Sequence, residues 1–225
     1  MELIEAILSR YSVRAYKPAP VPKEILQELL KICIRAPSWN NTQPWEFAIV
    51  GGKVMDELKQ ALSQKVAAET PPDSDIPAPT FTGRYLERGR ENARELFGVL
   101  GIVREDREKR RQWRLAGSRL YDAPNAIILY IDKSLTTWSI MDAGIVMQTI
   151  MLAAQNYGLG TCPQYQAVMY PEELRRILNI PESKLIVCGL AIGYPDTNAP
   201  PNRFRSARDP LEAFVTWYGI DGDNL

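Results

Sequence analysis

Apolar residues at three- and four-residue spacing open the chain. Leu3, Ile4, Ile7 and Leu8 predict a short amphipathic helix over residues 2–9. A second helix starts at Pro22 and carries Ile25, Leu26, Leu29, Leu30, Ile32 and Cys33 at the same period until Pro37 stops it. Residues 45–50 then read as a strand, Gly51-Gly52 as a turn and residues 54–67 as a third helix. Pro71, Pro72, Pro77 and Pro79 rule out regular structure over residues 70–82, which read as an extended loop. Residues 84–119 interleave charges of both signs around a weak apolar stripe (Leu96, Val99, Leu100, Ile102), the pattern of solvated helices. Residues 126–131 form a buried strand.

Residues 139–157 predict a long central helix, with Ser139 and Asp142 at capping-box-like spacing and Gly158 as its natural stop. No residue from Ala143 to Pro171 is charged. Gln148, Thr149, Gln155 and Asn156 interrupt the apolar run, so it reads as a helix buried in a core or between subunits, not as a membrane span. Pro171 opens a short helix to residue 178, and residues 184–192 form the last core strand. From Pro195 the chain is rich in proline and reaches the apolar patch Leu211, Phe214, Val215 and Trp217, the pattern of an arm laid over a partner subunit.

At 225 residues and 45% hydrophobic content the chain fits a single domain, residues 1–225, with a helical excursion or lid at 68–120 and a C-terminal arm at 195–225. Lys and Arg balance Asp and Glu at 27 each, so nothing draws the whole protein to nucleic acid or to an anionic membrane. The first residues lack the basic and apolar regions of a signal peptide, and a cytoplasmic protein is expected. Cys33, Cys162 and Cys188 are far apart, without metal-ligand spacing, and read as reduced thiols. There is no histidine, which removes Ser–His and Cys–His nucleophiles and the common zinc sites. Chemistry carried by a cofactor, for which the protein supplies binding and electrostatics, fits that composition. No Gly-x-Gly-x-x-Gly follows a strand and no phosphate-binding P-loop is present, so a nicotinamide coenzyme is not held on a dinucleotide fingerprint.

Three polar stretches are the candidates for binding. Arg10, Ser12 and Arg14 lie within five residues where the first helix stops, and Arg203, Arg205 and Arg208 crowd a non-periodic segment near the other end. Guanidinium groups suit phosphate because the planar fork donates paired hydrogen bonds. Taken singly, an Arg pair at a helix end is most often solvated. Between these stretches Pro37, Ser38, Trp39, Asn40, Asn41, Thr42 and Gln43 make a loop of small and amide side chains. It can hydrogen-bond a flat heteroaromatic ring while Pro37 and Trp39 cover its faces, although such loops are commonly plain turns.

These blocks resemble the FMN-dependent nitroreductase family. The resemblance rests on Arg10-x-Ser12-x-Arg14 and on residues 36–45 as Ala-Pro-Ser-x-x-Asn-x-Gln-Pro-Trp. It rests also on the helix ending Tyr157-Gly158-Leu159-Gly160-Thr161, and on Gly193-Tyr194-Pro195 followed by Arg203 and Arg205. The excursion at 68–120 is similar to that of the longer subgroup acting on nitroaromatics. The resemblance implies an α+β fold: a mostly antiparallel sheet of four or five strands flanked by helices, in an intertwined homodimer whose tails reach the partner. It implies FMN as cofactor, NAD(P)H as transient reductant, and reduction of a nitroaromatic, quinone or other small aromatic acceptor by a ping-pong scheme. No metal and no catalytic side chain are expected, since flavin N5 carries the chemistry.

By position, the resemblance gives Arg10, Tyr11 and Ser12 to the phosphate and ribityl chain, with Arg205 and Arg203, and gives Arg14 to the pyrimidine edge. It gives Pro37, Ser38, Trp39 and Asn41 of the second subunit to the ring, and Pro163, Gln164, Tyr165 and Gln166 to the neighbourhood of N5, where Pro163 alone would read as a plain turn. Gln43, Pro44 and Trp45 read as structural, with Trp45 in the core. Trp39, Phe81, Tyr85 and Tyr165 are the candidate lining for the acceptor. Trp39 is bulkier than is common in the family, and Tyr165 and Gln166 also depart from other members, so the acceptor does not transfer. Reductive dehalogenation, flavin fragmentation and non-catalytic flavin binding are the alternatives on the same fold.

Overall fold

The computed structural model describes residues 2–220. The last five residues of the expected C-terminal arm, 221–225, lie outside the described residues.

Four strands, β1 (Glu46–Gly51), β2 (Asn125–Asp132), β3 (Gly160–Gln164) and β4 (Lys184–Gly193), form one sheet in the order β1-β2-β4-β3 with every ladder antiparallel. Among the described residues seven α-helices surround it: α1 (Leu3–Ser9), α2 (Lys23–Cys33), α3 (Gly52–Ala67), α4 (Gly83–Val99), α5 (Arg107–Ser118), α6 (Thr137–Asn156) and α7 (Pro171–Leu178). β2 explains the architecture. Its alternate residues Ile127, Leu129 and Ile131 join a core with α2 and α6, whereas Ala126 and Ile128 join a second core with α3 and α7. A strand covered on both faces needs apolar residues throughout, and residues 126–131 supply them.

Two local readings are corrected. Ser139 does not cap α6, because the helix begins a turn earlier with Thr136 at its N-cap, and Asp142 is a buried residue inside the helix. Residues 160–164 form β3 instead of a loop or turn. Pro163 is tolerated there because β3 lies at the edge of the sheet, where a missing N–H breaks no inner ladder. The other side of β3 is met by the N-terminal segment: Ser12 bridges Thr161 in parallel, and Val13 N–H donates to Thr161 O at 3.0 Å. Gly160 permits this approach, since a Cβ there would meet Val13 Cγ2 at 2.4 Å.

Trp45 is buried as expected, in the core with α2 and α6, and Pro44 beside it is buried too. α6 meets the criteria of length and apolarity for a membrane span, yet Ala143, Val146, Ile150 and Ala154 are buried against the sheet. Its opposite face leaves Trp138, Met141 and Ile145 exposed. The excursion forms α4 and α5, and the tail returns along α4, where Arg88 pairs with Asp209 and lies over the Phe214 ring.

Candidate functional site

The N-terminal arginine segment and the tail meet at Asn202. This buried amide accepts from Arg14 N–H at 2.7 Å and donates to Ala15 O and Asp196 O at 2.7 and 2.8 Å. Lys17 N–H to Tyr194 O and Asp196 N–H to Ala15 O complete the seam. Residues 10–16 are thereby held between β3 and the segment after β4, with both ends of the sequence side by side.

The guanidinium groups follow. Arg205 lies over the Tyr11 ring, its guanidinium carbon 3.6 Å from the centroid, and donates through Nη1 to Asn202 O and Phe204 O. Arg14 Nη1 donates to Ser12 O at 3.3 Å. Arg10 has its pKa lowered, first by burial and then by the charge of Arg208. Among the described residues no carboxylate makes an ion pair with Arg10, Arg14, Arg205 or Arg208. A cluster of cations, one of them disfavoured in its charged form by a neighbour and none paired with a protein anion among the described residues, has the chemistry to take a multivalent anion. A cavity of about 160 Å³ lies beside them, lined by Arg10, Tyr11, Gln155, Gly160, Thr161 and Pro195 among others. Arg203 is exposed and turns to Asn198 O at 3.2 Å, outside this convergence.

Cys162 lies within reach of Ser12, Arg14 and Arg10, yet burial pushes its thiol up to about 11 against their opposing pull. At neutral pH it is a protonated packing group, not a nucleophile. Tyr121 faces Arg14 and Cys162, and burial pushes its phenol up to about 12. It sits on a turn in which Leu120, Tyr121 and Asp122 all have positive φ. Such a run is costly for residues other than glycine, and it persists where packing dictates it. Here Trp113 packs on the Tyr121 ring at 5.1 Å and Arg119 pairs with Asp122 at 3.0 Å.

Beyond β3 the chain turns under α5. Gln164 is buried and donates to Gly117 O at 3.2 Å, while its Oε1 has no hydrogen-bond partner among the described residues. Gln166 lies so close to Gly117 that a Cβ there would fall 2.0 Å from Gln166 Oε1. Tyr165 points outward and meets the Ser74 hydroxyl at 2.9 Å. Phe81 and Tyr85 are exposed, and the Tyr85 ring faces Arg84.

The 37–43 loop is elsewhere. Asn40, Asn41 and Gln43 take positive φ, and Gln43 N–H donates to Ser38 Oγ at 2.9 Å. The loop is pinned by Asp142, whose two carboxylate oxygens accept from Trp39 N–H at 3.2 and 3.3 Å, and by Trp138 against the Trp39 ring. Asp142 lies in the first half of α6. Gln155, near its end, holds α1 through Ala6 O and Ser9 Oγ, next to Arg10. Thirteen helical residues span about 20 Å. One chain therefore does not bring Ser38, Trp39 or Asn41 to the arginines.

Sequence reasoning missed Asn202, Tyr121 and the true partner of Asp142. The Asn in Asn202-Arg203 was visible, but nothing local marks an amide whose partners lie near residue 15.

Comparison with known proteins follows the same outline. The Nitroreductase family profile matches residues 7–194. A 4-nitrobenzoate reductase of Pseudomonas putida is 33% identical over 219 residues, covering 96% of this chain and 95% of its own. The nitroreductase NfnB of Mycolicibacterium smegmatis is 32% identical over 91% of this chain and 88% of its own. The crystal structure of the FMN and NADPH-dependent nitroreductase NfnB from a sphigopyxis strain, HMH, superimposes with a TM-score of 0.93 at 30% identity, covering 98% of this chain and all of the other. On that match over most of its length, together with the close superposition of the fold, the chain belongs to the nitroreductase family.

Proposed function

We propose that this protein is an FMN-dependent oxidoreductase that takes electrons from NAD(P)H and passes them to nitroaromatics, quinones or related small aromatic acceptors in a ping-pong scheme. The observation that carries the reading is the convergence of Arg10, Ser12, Arg14 and Arg205, drawn from opposite ends of the chain, without a compensating protein carboxylate among the described residues. A phosphate monoester is the anion such a donor set fits. The unpaired Gln164 Oε1 offers a buried acceptor further along β3, on the side where a ring would lie.

In this reading Arg10, Tyr11, Ser12 and Arg205 hold the phosphate and ribityl chain, with Arg203 at the outer rim. Arg14, braced by Ser12 O and facing Tyr121, places positive charge at the pyrimidine edge. Pro163, Gln164, Tyr165 and Gln166 flank the reacting edge of the ring, and Tyr165 with Phe81, Tyr85 and a partner-chain Trp39 lines the acceptor side. Bound FMN supplies hydride transfer at N5, so no side chain need act as nucleophile or base. Trp39 narrows the open face of the ring, which suits flat acceptors.

The site needs two chains. With the 37–43 loop and the arginines held about 20 Å apart along α6, a single protomer cannot enclose a ring between them. A two-fold pair packed through the apolar face of α6 (Trp138, Met141, Ile145), with its axis perpendicular to the helix, would run the two helices in opposite directions. The loop of each chain would then fall near the arginines of the other. The groove of about 540 Å³ lined by Leu3, Ala6, Ile32, Leu152, Ala153 and Tyr157 continues that face. In this homodimer the excursion at 68–120 serves as a lid over the acceptor side, and residues 195–225 serve as an arm. The enzyme works in the cytoplasm, with no nucleic-acid or membrane partner.

The test is direct. Purified protein should be yellow, release FMN and not FAD on denaturation, and bleach on anaerobic titration with NADH or NADPH. Steady coenzyme oxidation with a quinone separates an enzyme from a flavin carrier. A colourless protein that takes up no added FMN ends this reading.

A further inference from the structure

The Pro-rich segment before α4 is fixed at four points, although it carries no regular structure. Tyr170 Oη donates to Thr70 O at 2.8 Å, and Asp73 N–H donates to Met169 O at 3.0 Å. The Asp75 carboxylate accepts from Arg175 Nη2 and from Ile186 N–H, both at 2.7 Å, and the Asp75–Arg175 pair is almost wholly buried. The same Arg175 nitrogen also donates to Lys184 O at 2.7 Å. A residue between such anchors has little freedom. That residue is Ser74.

Ser74 Oγ lies 2.8 Å from Ile76 O and 2.9 Å from Tyr165 Oη. A carbonyl oxygen cannot donate, so the single hydroxyl proton of Ser74 belongs to the contact with Ile76. The Ser74–Tyr165 contact then requires the phenol to be the donor. A phenol has one proton, and this one is committed to Ser74. From these proton counts we infer that Tyr165 presents an oxygen lone pair to the site, so that it selects ligands bearing an N–H or O–H donor, and that Ser74 is the positioning residue that fixes this polarity.

The inference rests on the proposed location of Tyr165 beside the reacting edge of the cofactor. Two ligands could bring the donor: the carboxamide of the nicotinamide ring, or a donor substituent on an aromatic acceptor. Both are read by the same lone pair, and the test separates them.

Holoenzyme is compared with its Tyr165→Phe and Ser74→Ala variants, after FMN content has been measured in each. One arm measures flavin reduction by NADPH against its reduced 3-acetylpyridine analogue, in which a methyl ketone replaces the carboxamide. The other measures dissociation constants of benzamide and N,N-dimethylbenzamide from the change in flavin absorbance. Relative to wild type, Tyr165→Phe should lower the preference for the donor-bearing member of one pair by about fivefold, the equivalent of one neutral hydrogen bond. Ser74→Ala, which frees the phenol proton to donate to a carbonyl as well as leaving its lone pair to accept, should reduce the same preference with the phenol still in place. A defect of packing alone would weaken both members of a pair together. Preferences that stay within twofold of wild type in both arms and both variants, with FMN bound, overturn the inference while leaving the flavoenzyme reading intact. A wild-type protein without FMN overturns the flavoenzyme reading instead.

Discussion

The guanidinium carbon of Arg205 lies over the Tyr11 ring, 3.6 Å from its centroid, so a residue of the tail sits on a residue of the N-terminal segment. A cation held over a ring keeps N–H donors for other partners. Nη1 is tied back to Asn202 O and Phe204 O, which orients the fork without neutralising it. A preorganised cation loses less conformational freedom when an anion arrives.

Arg205→Ala should therefore weaken FMN binding by roughly 2–3 kcal/mol, the scale of lost charge-assisted hydrogen bonds. The fold should survive, because the side chain is exposed and the backbone seam is held by Asn202. A flavin titration beside a circular dichroism spectrum checks both halves. Affinity within twofold of wild type would make Arg205 a solvated tail residue.

Asn202→Ala should behave differently. It removes one acceptor and two donor contacts of a buried amide, leaving Arg14 N–H without its acceptor and Ala15 O and Asp196 O each with only a backbone donor. A loss of about 2–4 kcal/mol in urea-unfolding stability is expected, together with weaker FMN binding. Loss of FMN affinity without loss of stability would contradict the seam as described.

Asp142→Ala should release the 37–43 loop through Trp39 N–H. The expected signs are a change in tryptophan emission, as the Trp39–Trp138 contact loosens, and about 1–2 kcal/mol lost from stability. Asp142→Asn retains a carbonyl acceptor and should recover most of both. Equal damage in the two variants would mean that the carboxylate does not act through Trp39.

Alkali should destabilise the fold by a mechanism with a definite sign. Burial pushes the Cys33 thiol up to about 12 from 9.0 and the Cys162 thiol up to about 11 from the same value. The folded chain keeps protons that the unfolded chain releases, so this stabilisation is complete below pH 9.0 and is lost between there and about 12. Urea midpoints should be lower at pH 10.5 than at pH 8, and a thiol reagent should modify Cys33 and Cys162 slowly in native protein at pH 8. A flat midpoint across that range would contradict the burial of these thiols.

The elements that the sequence revealed are those whose signal is local. α2 and β2 carry their period or their unbroken apolar run because the surfaces they bury are continuous. β3 was hidden since five residues containing Gly160 and Pro163 resemble a turn, and only the pairing with Gly189–Gly193 makes them a strand. Asp142 shows the same limit from the other side. Its spacing from Ser139 suggested a cap, yet its partner Trp39 is 103 positions away. Within the candidate site, arginine density was readable, whereas the seam at Asn202 and the left-handed turn at Tyr121 depend on contacts that no short window contains.

The most demanding expectation is that each flavin site is divided between chains, with Arg10 and Arg205 from one and Ser38 and Asn41 from the other. It rests on the family resemblance, the uncharged stretch of the central helix and the apolar tail, and is supported by the placement of Trp39 at Asp142 and of Arg10 beside Gln155, at distant points of one helix. Two inactive variants test it, Arg10→Ala/Arg205→Ala and Ser38→Ala/Asn41→Ala, unfolded together and refolded as an equal mixture. In a mixed dimer one site collects all four substitutions and the other is wild type. With random pairing about half of the dimers are mixed, so bound flavin and activity should return to roughly a quarter of the wild-type value per site. The variants refolded separately should stay inactive, and wild-type protein taken through the same cycle sets the scale. If the mixture remains as inactive as its components while wild type recovers, the arginines and the loop serve a site within one chain, and α6 does not pair in opposite directions across a dimer.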